Sequence, residues 1–346
     1  MAQATASARA LAVGQPAIIP RSGWGADESL RFDDQGNEIW PPEHCPVRKI
    51  VVHHTVTSNE ADPVETIRAI YYYHAVIRGH GDIGYNYLVD RYGNIYEGRY
   101  GGPDVVGAHV GGYNRGSVGV GAMGTYGNLA GSVEPSDELL EAIADLAAWE
   151  CGRSLINPNE SSLFVDKVTP NIAGHRDYNP TTFCPGDYLY AELPALRDEA
   201  WQRILASTPQ YLAQFLDHDT PTEMLTGHTY GVELTLRNAG TLTWPADGAQ
   251  PVRLGYRWYD EAGKRVPQPP EDERRTPLSQ DVTFANTAVF SPALVTAPRE
   301  PGRYTLRWDL LQEGVGWFSE RGSPTLDVTV TVSSPVSIGG RVLDNR

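Results

Sequence analysis

Ile50-Val51-Val52-His53-His54-Thr55 (IVVHHT, residues 50–55) is a β-branched run that ends on two adjacent imidazoles. Following Arg48-Lys49, it reads as a short buried strand whose end delivers His53 and His54. Downstream, Asp62-Pro63-Val64-Glu65 supplies an N-cap, a proline at the first helical position and an acid at the third. The helix it opens carries Ile67, Ile70, Tyr71 and His74 on one face. Tyr85 to Asp90 and Ile95 to Glu97 read as strands flanking the turn Arg91-Tyr92-Gly93-Asn94, and Ser117 to Gly124 as a further strand. Pro135-Ser136 precedes a helix with Leu139, Leu140, Ile143, Leu146 and Ala147 at helical spacing and Gly152 placed to end it; another helical pattern runs from Leu189 to Leu205. Strands interleaved with helices predict an α/β domain, a mixed central sheet flanked by helices. Functional side chains are then expected on strand ends and loops at one edge.

Beyond residues 206–218 the texture changes. GVELTLRN, VRLGYRWYD, DVTFANTAVF, RYTLRWDLL and LDVTVTV are strand-length segments separated by Gly, Pro and Asn turns, without helical periodicity. About seven short strands in roughly 115 residues describe an all-β sandwich of immunoglobulin-like kind. Trp244, Trp258, Trp308 and Trp317 are read there mostly as core rather than as a carbohydrate-binding face. The expected division is an N-terminal extension at 1–19, the α/β domain at 20–206, a linker at 207–218, the sandwich at 219–334 and a tail at 335–346.

Composition narrows the function. A chain of 346 residues exceeds what one core usually serves, and 40% hydrophobic with 10% aromatic residues supports folded domains. A net charge of −15, with no basic block longer than a pair, would repel a phosphate backbone, so nucleic acid is excluded as a partner. No run of 18 apolar residues is present to span a membrane. The start, MAQATASARALAVGQP, lacks the basic and apolar regions of a signal peptide. With three cysteines, a disulfide framework is not expected; Cys45 and Cys151 are read as buried small residues, with pairing the alternative.

The chemistry lies in AGHRDYNPTTFCPGD (173–187), where His175 and Cys184 flank a Pro-containing loop. With His53 they make two imidazoles and one thiol. Three such ligands leave a zinc coordination position open for water, whereas structural sites normally close the shell with four. Adjacent residues on a strand point to opposite faces, so His53 and His54 are not expected to share one ion. Taken singly, each residue is ordinary: a histidine after a buried strand is more often hydrogen-bonded core than metal-bound.

PRSGWGA (20–26), VVHHT, DIGYNYLVDRYGNIYEGR (82–99), GAHVGGYN (107–114), SVGVGAMG and AGHRD…CPGD resemble, in that order, the zinc N-acetylmuramoyl-L-alanine amidases of the phage-lysozyme and peptidoglycan-recognition-protein family. The resemblance covers about residues 20 to 200. It implies a Zn2+ ion on His53, His175 and Cys184 and cleavage of the amide joining N-acetylmuramic acid to L-alanine in bacterial peptidoglycan. It further implies Tyr85 as a catalytic group and Thr182 as the residue facing the reacting oxygen. The loop is one residue longer than the family's usual spacing, which keeps Thr181 as the alternative. His109 and Asn114 match the family's stem-peptide groove, and His54 becomes either a support behind the metal ligands or a wall of the substrate site; Arg99 and Arg115 receive no role. His80 stands where many relatives carry a tryptophan. Members that only recognise peptidoglycan lack the cysteine, so a binding module with little turnover is the alternative function. The substrate implies a secreted or cell-envelope protein. A monomer is expected, with the sandwich binding the envelope or a protein partner.

Overall fold

The computed structural model describes residues 13–127, 129–270 and 273–335. The chain divides into two compact units, the first ending at Thr208 and the second beginning at Pro209.

In the first unit the strands are β1 (Ile18–Ile19), β2 (Lys49–His54), β3 (Tyr87–Val89), β4 (Ile95–Glu97), β5 (Ser117–Ala122), β6 (Ser161–Phe164), β7 (Lys167–Pro170) and β8 (Ile172–Gly174). Six of them form a sheet in the order β1-β4-β3-β5-β2-β8, and β6 pairs with β7 as a separate hairpin. β2 runs parallel to β5 and β8, β3 is parallel to β5, and the β3–β4 hairpin is antiparallel, so the sheet is mixed. The helices are α1 (Arg21–Trp24), α2 (Pro63–Tyr72), α3 (Asp137–Ser154), α4 (His175–Tyr178) and α5 (Asp187–Ser207).

Alternation along β3 shows why both sheet faces are covered. Leu88 joins Ile67, Ile70 and Tyr71 of α2 in one apolar cluster, while its neighbour Tyr87 donates its hydroxyl to Glu150 of α3, 3.1 Å away. α2 begins as its sequence dictates, the Asp62 carboxylate accepting from the Glu65 amide at 2.9 Å with Pro63 in the first turn. It then widens into a π-helical turn over Tyr73–Ile77, which brings His74 towards the end of the sheet.

Several boundaries differ from expectation. Gly152 does not end α3: the helix runs on to Ser154 and stops where Leu155 turns left-handed at φ 51°. A side chain at 152 would meet Val13, so close packing accounts for this glycine. The strand expected over 85–90 spans only Tyr87–Val89; before it, the Tyr85 carbonyl accepts from the Arg99 amide and the Asn86 amide donates to the Gly119 carbonyl of β5. Ile18–Ile19, assigned to the extension, pairs with β4. Residues 1–12 of that extension and 336–346 of the tail lie outside the described residues. Cys45, Cys151 and Cys184 are all free thiols.

The second unit is a β-sandwich. β9 (Ala213–His218), β10 (Glu223–Leu225), β11 (Thr229–Asn238), β12 (Val252–Tyr259), β13 (Arg265–Val266), β14 (Thr276–Pro277), β15 (Thr287–Thr296), β16 (Gly302–Gln312), β17 (Gly316–Trp317) and β18 (Leu326–Ser333) make its two sheets. One has the order β15-β11-β9; the other is built on β10-β18-β16-β12-β13. Leu234, Phe290, Leu254, Leu306 and Val330, drawn from both sheets, share one core. Trp244, Trp258 and Trp308 are buried in it, whereas Trp317 is half-exposed. β9 falls in the expected linker, and of DVTFANTAVF only the end from Thr287 is strand.

Candidate metal centre

β2, β5 and β8 are parallel, and their carboxyl ends come together at one edge of the sheet. His53 sits at the end of β2, and His175 follows β8 directly as the first residue of α4. The loop from α4 to α5 returns Cys184 to the same place. Arg176 closes that loop: its backbone amide donates to the Cys184 carbonyl at 3.0 Å, while its guanidinium binds the Phe183 carbonyl and, at 2.6 Å, Asp187.

One ligand atom from each of His53, His175 and Cys184 falls within 4.8 Å of the others, and among the described residues no fourth His, Cys, Asp or Glu joins them. The Cys184 Sγ stands 3.6 Å from the His53 Nδ1. A tetrahedral zinc ion with a sulfur at about 2.3 Å and a nitrogen at about 2.0–2.1 Å holds those two atoms about 3.6 Å apart. The residues therefore fit the ion in donor type and in spacing.

The electrostatics suit ligation on the nitrogen side. Burial holds the His53 imidazole well below its ordinary 6.5, with His109 and His175 adding repulsion, and burial lowers His175 too. Both rings are thus neutral at neutral pH, as ligands must be. Burial pushes the Cys184 thiol up to about 12, so its proton leaves only when a cation takes its place.

An open pocket faces the cluster, lined by His54, Thr55, Val56, Tyr85, Leu129, His175, Thr181, Thr182, Phe183 and Cys184. Tyr85 lies against His53, ring centroids 5.3 Å apart, and burial raises its phenol far above 10. It therefore stays protonated as a hydrogen-bond donor. The Thr182 hydroxyl oxygen accepts from the Cys184 amide at 3.2 Å, whereas Thr181 donates its hydroxyl to Asn179 at 2.7 Å. His54 lines the pocket wall, its Nδ1 accepting from the Tyr126 amide at 3.4 Å.

His109 and Asn114 are placed differently from a groove floor. His109 is buried behind His53, its Nδ1 3.0 Å from the His53 Nε2, and is absent from the pocket lining. The Asn114 carbonyl oxygen accepts from the His109 and Val110 amides at 2.9 and 2.8 Å, so it braces the loop that carries His109. Arg99 is also internal, paired with Asp82 at 2.7 Å and stacked on Trp40.

Sequence reasoning passed over three kinds of residue. Ser117, Gly119 and Gly121 alternate along one face of β5, and a side chain at either glycine would press on His109 or Tyr85 respectively. The alternation small-apolar-small in SVGVGA was the signal. Val56, a β-branched residue at φ 57°, and Phe183, 66% exposed, form part of the pocket rim, for which the sequence holds no comparable cue.

Residues 43–187 match the family model for N-acetylmuramoyl-L-alanine amidase. Peptidoglycan recognition protein 1 of Bos taurus is 36% identical over 177 residues, covering 50% of this chain and 80% of the relative. Peptidoglycan-recognition protein LE of Drosophila melanogaster is 43% identical over 113 residues, 32% of this chain and only 30% of that longer protein. The solved wild-type Drosophila PGRP-LB is 30% identical and aligns over 51% of this chain and 92% of its own, with a TM-score of 0.40. The ligand cluster together with this homology supports a zinc-using, amidase-like activity. By this match over residues 43–187 and the identity to peptidoglycan recognition protein 1, the chain belongs to the family of type-2 N-acetylmuramoyl-L-alanine amidases and peptidoglycan recognition proteins.

Proposed function

We propose that the protein is a zinc-dependent N-acetylmuramoyl-L-alanine amidase, which hydrolyses the amide between N-acetylmuramic acid and L-alanine in bacterial peptidoglycan. The observation that carries this reading is the 3.6 Å separation of the Cys184 Sγ and the His53 Nδ1 beside an open pocket. A bound zinc ion would supply Lewis acidity and bring the pKa of water down from 15.7 to about 7. His53, His175 and Cys184 would hold that ion, and the pocket beside them would admit the scissile carbonyl. The Tyr85 hydroxyl donates to the carbonyl oxygen as negative charge builds on it. Thr182, whose oxygen is already occupied by the Cys184 amide, directs its proton outward as a second donor. His54 forms the wall that orients the substrate. The rim residues Val56, Leu129 and Phe183 are apolar and restrict water around the reacting amide.

Against a recognition module without turnover stands the Cys184 thiol, placed with His53 and His175 as a candidate third ligand beside the pocket. We place the protein outside the cytoplasm, where this substrate lies, and read the sandwich as an immunoglobulin-like tether to the envelope or a protein partner. Incubation with purified peptidoglycan tests the reaction: new N-terminal alanine should appear and should cease on chelation. New reducing sugar ends in place of alanine would mean that a glycan bond is cut, contrary to the proposal.

A further inference from the structure

The hydrogen bonds behind His53 have a direction. The Ser117 hydroxyl lies 2.6 Å from the Tyr113 carbonyl, which can only accept, so the hydroxyl proton points there. The Ser117 oxygen is then left as acceptor towards the His109 Nε2, 3.4 Å away. With its proton on Nε2, His109 presents a lone pair at Nδ1, where the His53 Nε2 stands 3.0 Å away and must donate. His53 consequently bears its proton on Nε2 and its lone pair on Nδ1, the atom that faces the Cys184 sulfur.

We propose that Ser117 and His109 are positioning residues that fix the tautomer and ring plane of His53, so that its Nδ1 lone pair is aimed at the metal. The inference rests on the zinc reading of the site. The surroundings of His109 are shaped for this task. A methyl group at Gly119 would lie 2.3 Å from the His109 Cγ, and one at Gly107 would lie 2.9 Å from its Cδ2. The ring therefore occupies a slot that only glycines leave open, with Asn114 holding its backbone. An imidazole that met the substrate would need an open face, whereas His109 is 8% exposed and does not line the pocket.

The test compares zinc affinity, by chelator competition, and the visible absorption of the Co2+-loaded protein across variants of the full chain. In His109→Asn the side-chain oxygen takes the place of Nδ1 and still accepts from His53; His109→Leu removes the acceptor at greater volume. Outer-shell partners of this kind are worth about 10–100-fold in metal affinity. His109→Leu should weaken zinc by that factor and alter the Co2+ bands, while His109→Asn should recover most of both. A role in packing alone would give the reverse order, with Leu above Asn, and that order or equal affinities would overturn the proposal. Should the His109 variants fail to fold, nitrogen NMR of the wild-type imidazoles decides. His53 and His109 should both carry the proton on Nε2, and a proton on the Nδ1 of either ring would overturn the proposal. Failure of the underlying zinc reading shows separately, as a wild-type protein that takes up no stoichiometric zinc.

Discussion

Gly119 lies directly against the imidazole of His109: a β-carbon added to it would stand 2.3 Å from the ring, well inside contact distance. Two positions along the same face of β5, Gly121 does the same for Tyr85, but at 3.2 Å. Gly119→Ala should therefore displace His109, and His53 with it, and weaken zinc by about 10–100-fold. Gly121→Ala should keep zinc and lower turnover by a lesser factor. Metal content and rate measured on both variants check the contrast; zinc retained in full by Gly119→Ala would contradict it.

Tyr85→Phe isolates the phenol. The ring still packs on His53, so zinc should bind as in the wild type. Loss of one donor to the developing oxyanion should reduce kcat about 10²–10³-fold, or about 2.7–4 kcal/mol. Steady-state kinetics on a muramyl peptide would show this, and a rise in KM with unchanged kcat would assign Tyr85 to substrate binding instead.

Among the protein ligands, only Cys184 should release a proton on zinc uptake. Burial keeps His53 and His175 neutral at pH 7, whereas Cys184, raised to about 12, is still a thiol. With about half a proton more from zinc-held water of pKa about 7, about 1.5 protons per ion are expected at pH 7, with affinity rising as pH rises. Calorimetry in buffers of different ionisation enthalpy counts these protons, and a count of about one half or less would mean that Cys184 is not a ligand.

The metal-free protein should lose stability in mild acid. His54 and His74 are each lowered from 6.5 to about 4 by burial, with nearby cations adding to it. Below pH 6.5 the unfolded chain gains protons that the folded chain refuses until about pH 4. Stability is therefore greatest above 6.5 and declines as pH falls through that window. Melting temperatures between pH 7.5 and 4, on the order of half-unit steps, follow the decline; a flat profile would mean that these rings are solvated.

Lys49 offers a control remote from the pocket. It is fully buried, and its ammonium donates to the Thr169 carbonyl at 2.7 Å, the Asn171 side chain at 2.8 Å and the Ser162 carbonyl at 3.0 Å. Lys49→Met should take this donor from the Thr169 and Ser162 carbonyls while Asn171 keeps the Ser162 hydroxyl, lowering stability by about 1–3 kcal/mol or more with zinc content unchanged. Chemical denaturation and metal analysis distinguish that outcome from an effect on the site.

Much of this was legible in the sequence, and the reasons differ by residue. The end of β2 was readable because a β-branched run stopped at His53-His54, and α2 because Asp62-Pro63 is a strong helix start. Cys184 and His175 stood out as a thiol and an imidazole on one loop. His109 was misplaced because the motif around it shows glycines and polar groups without showing which way the ring turns. Its partner His53 is 56 residues away in sequence, and only the parallel pairing of β2 with β5 brings them together. The end of α3 was misjudged for a related reason: Gly152 serves a tertiary contact with Val13, whereas glycines at helix ends are usually read as local stops. β9 was missed because Ala213–His218 is short and half-exposed, with weak alternation.

The metal centre itself admits the most direct measurement: X-ray absorption at the zinc edge of purified, zinc-loaded protein. One sulfur at about 2.3 Å and three nitrogen or oxygen neighbours at about 2.0–2.1 Å is the expected shell, the third light atom being solvent. A shell with two or more sulfurs, or with none, would contradict a site made from His53, His175 and Cys184 with one vertex open to substrate.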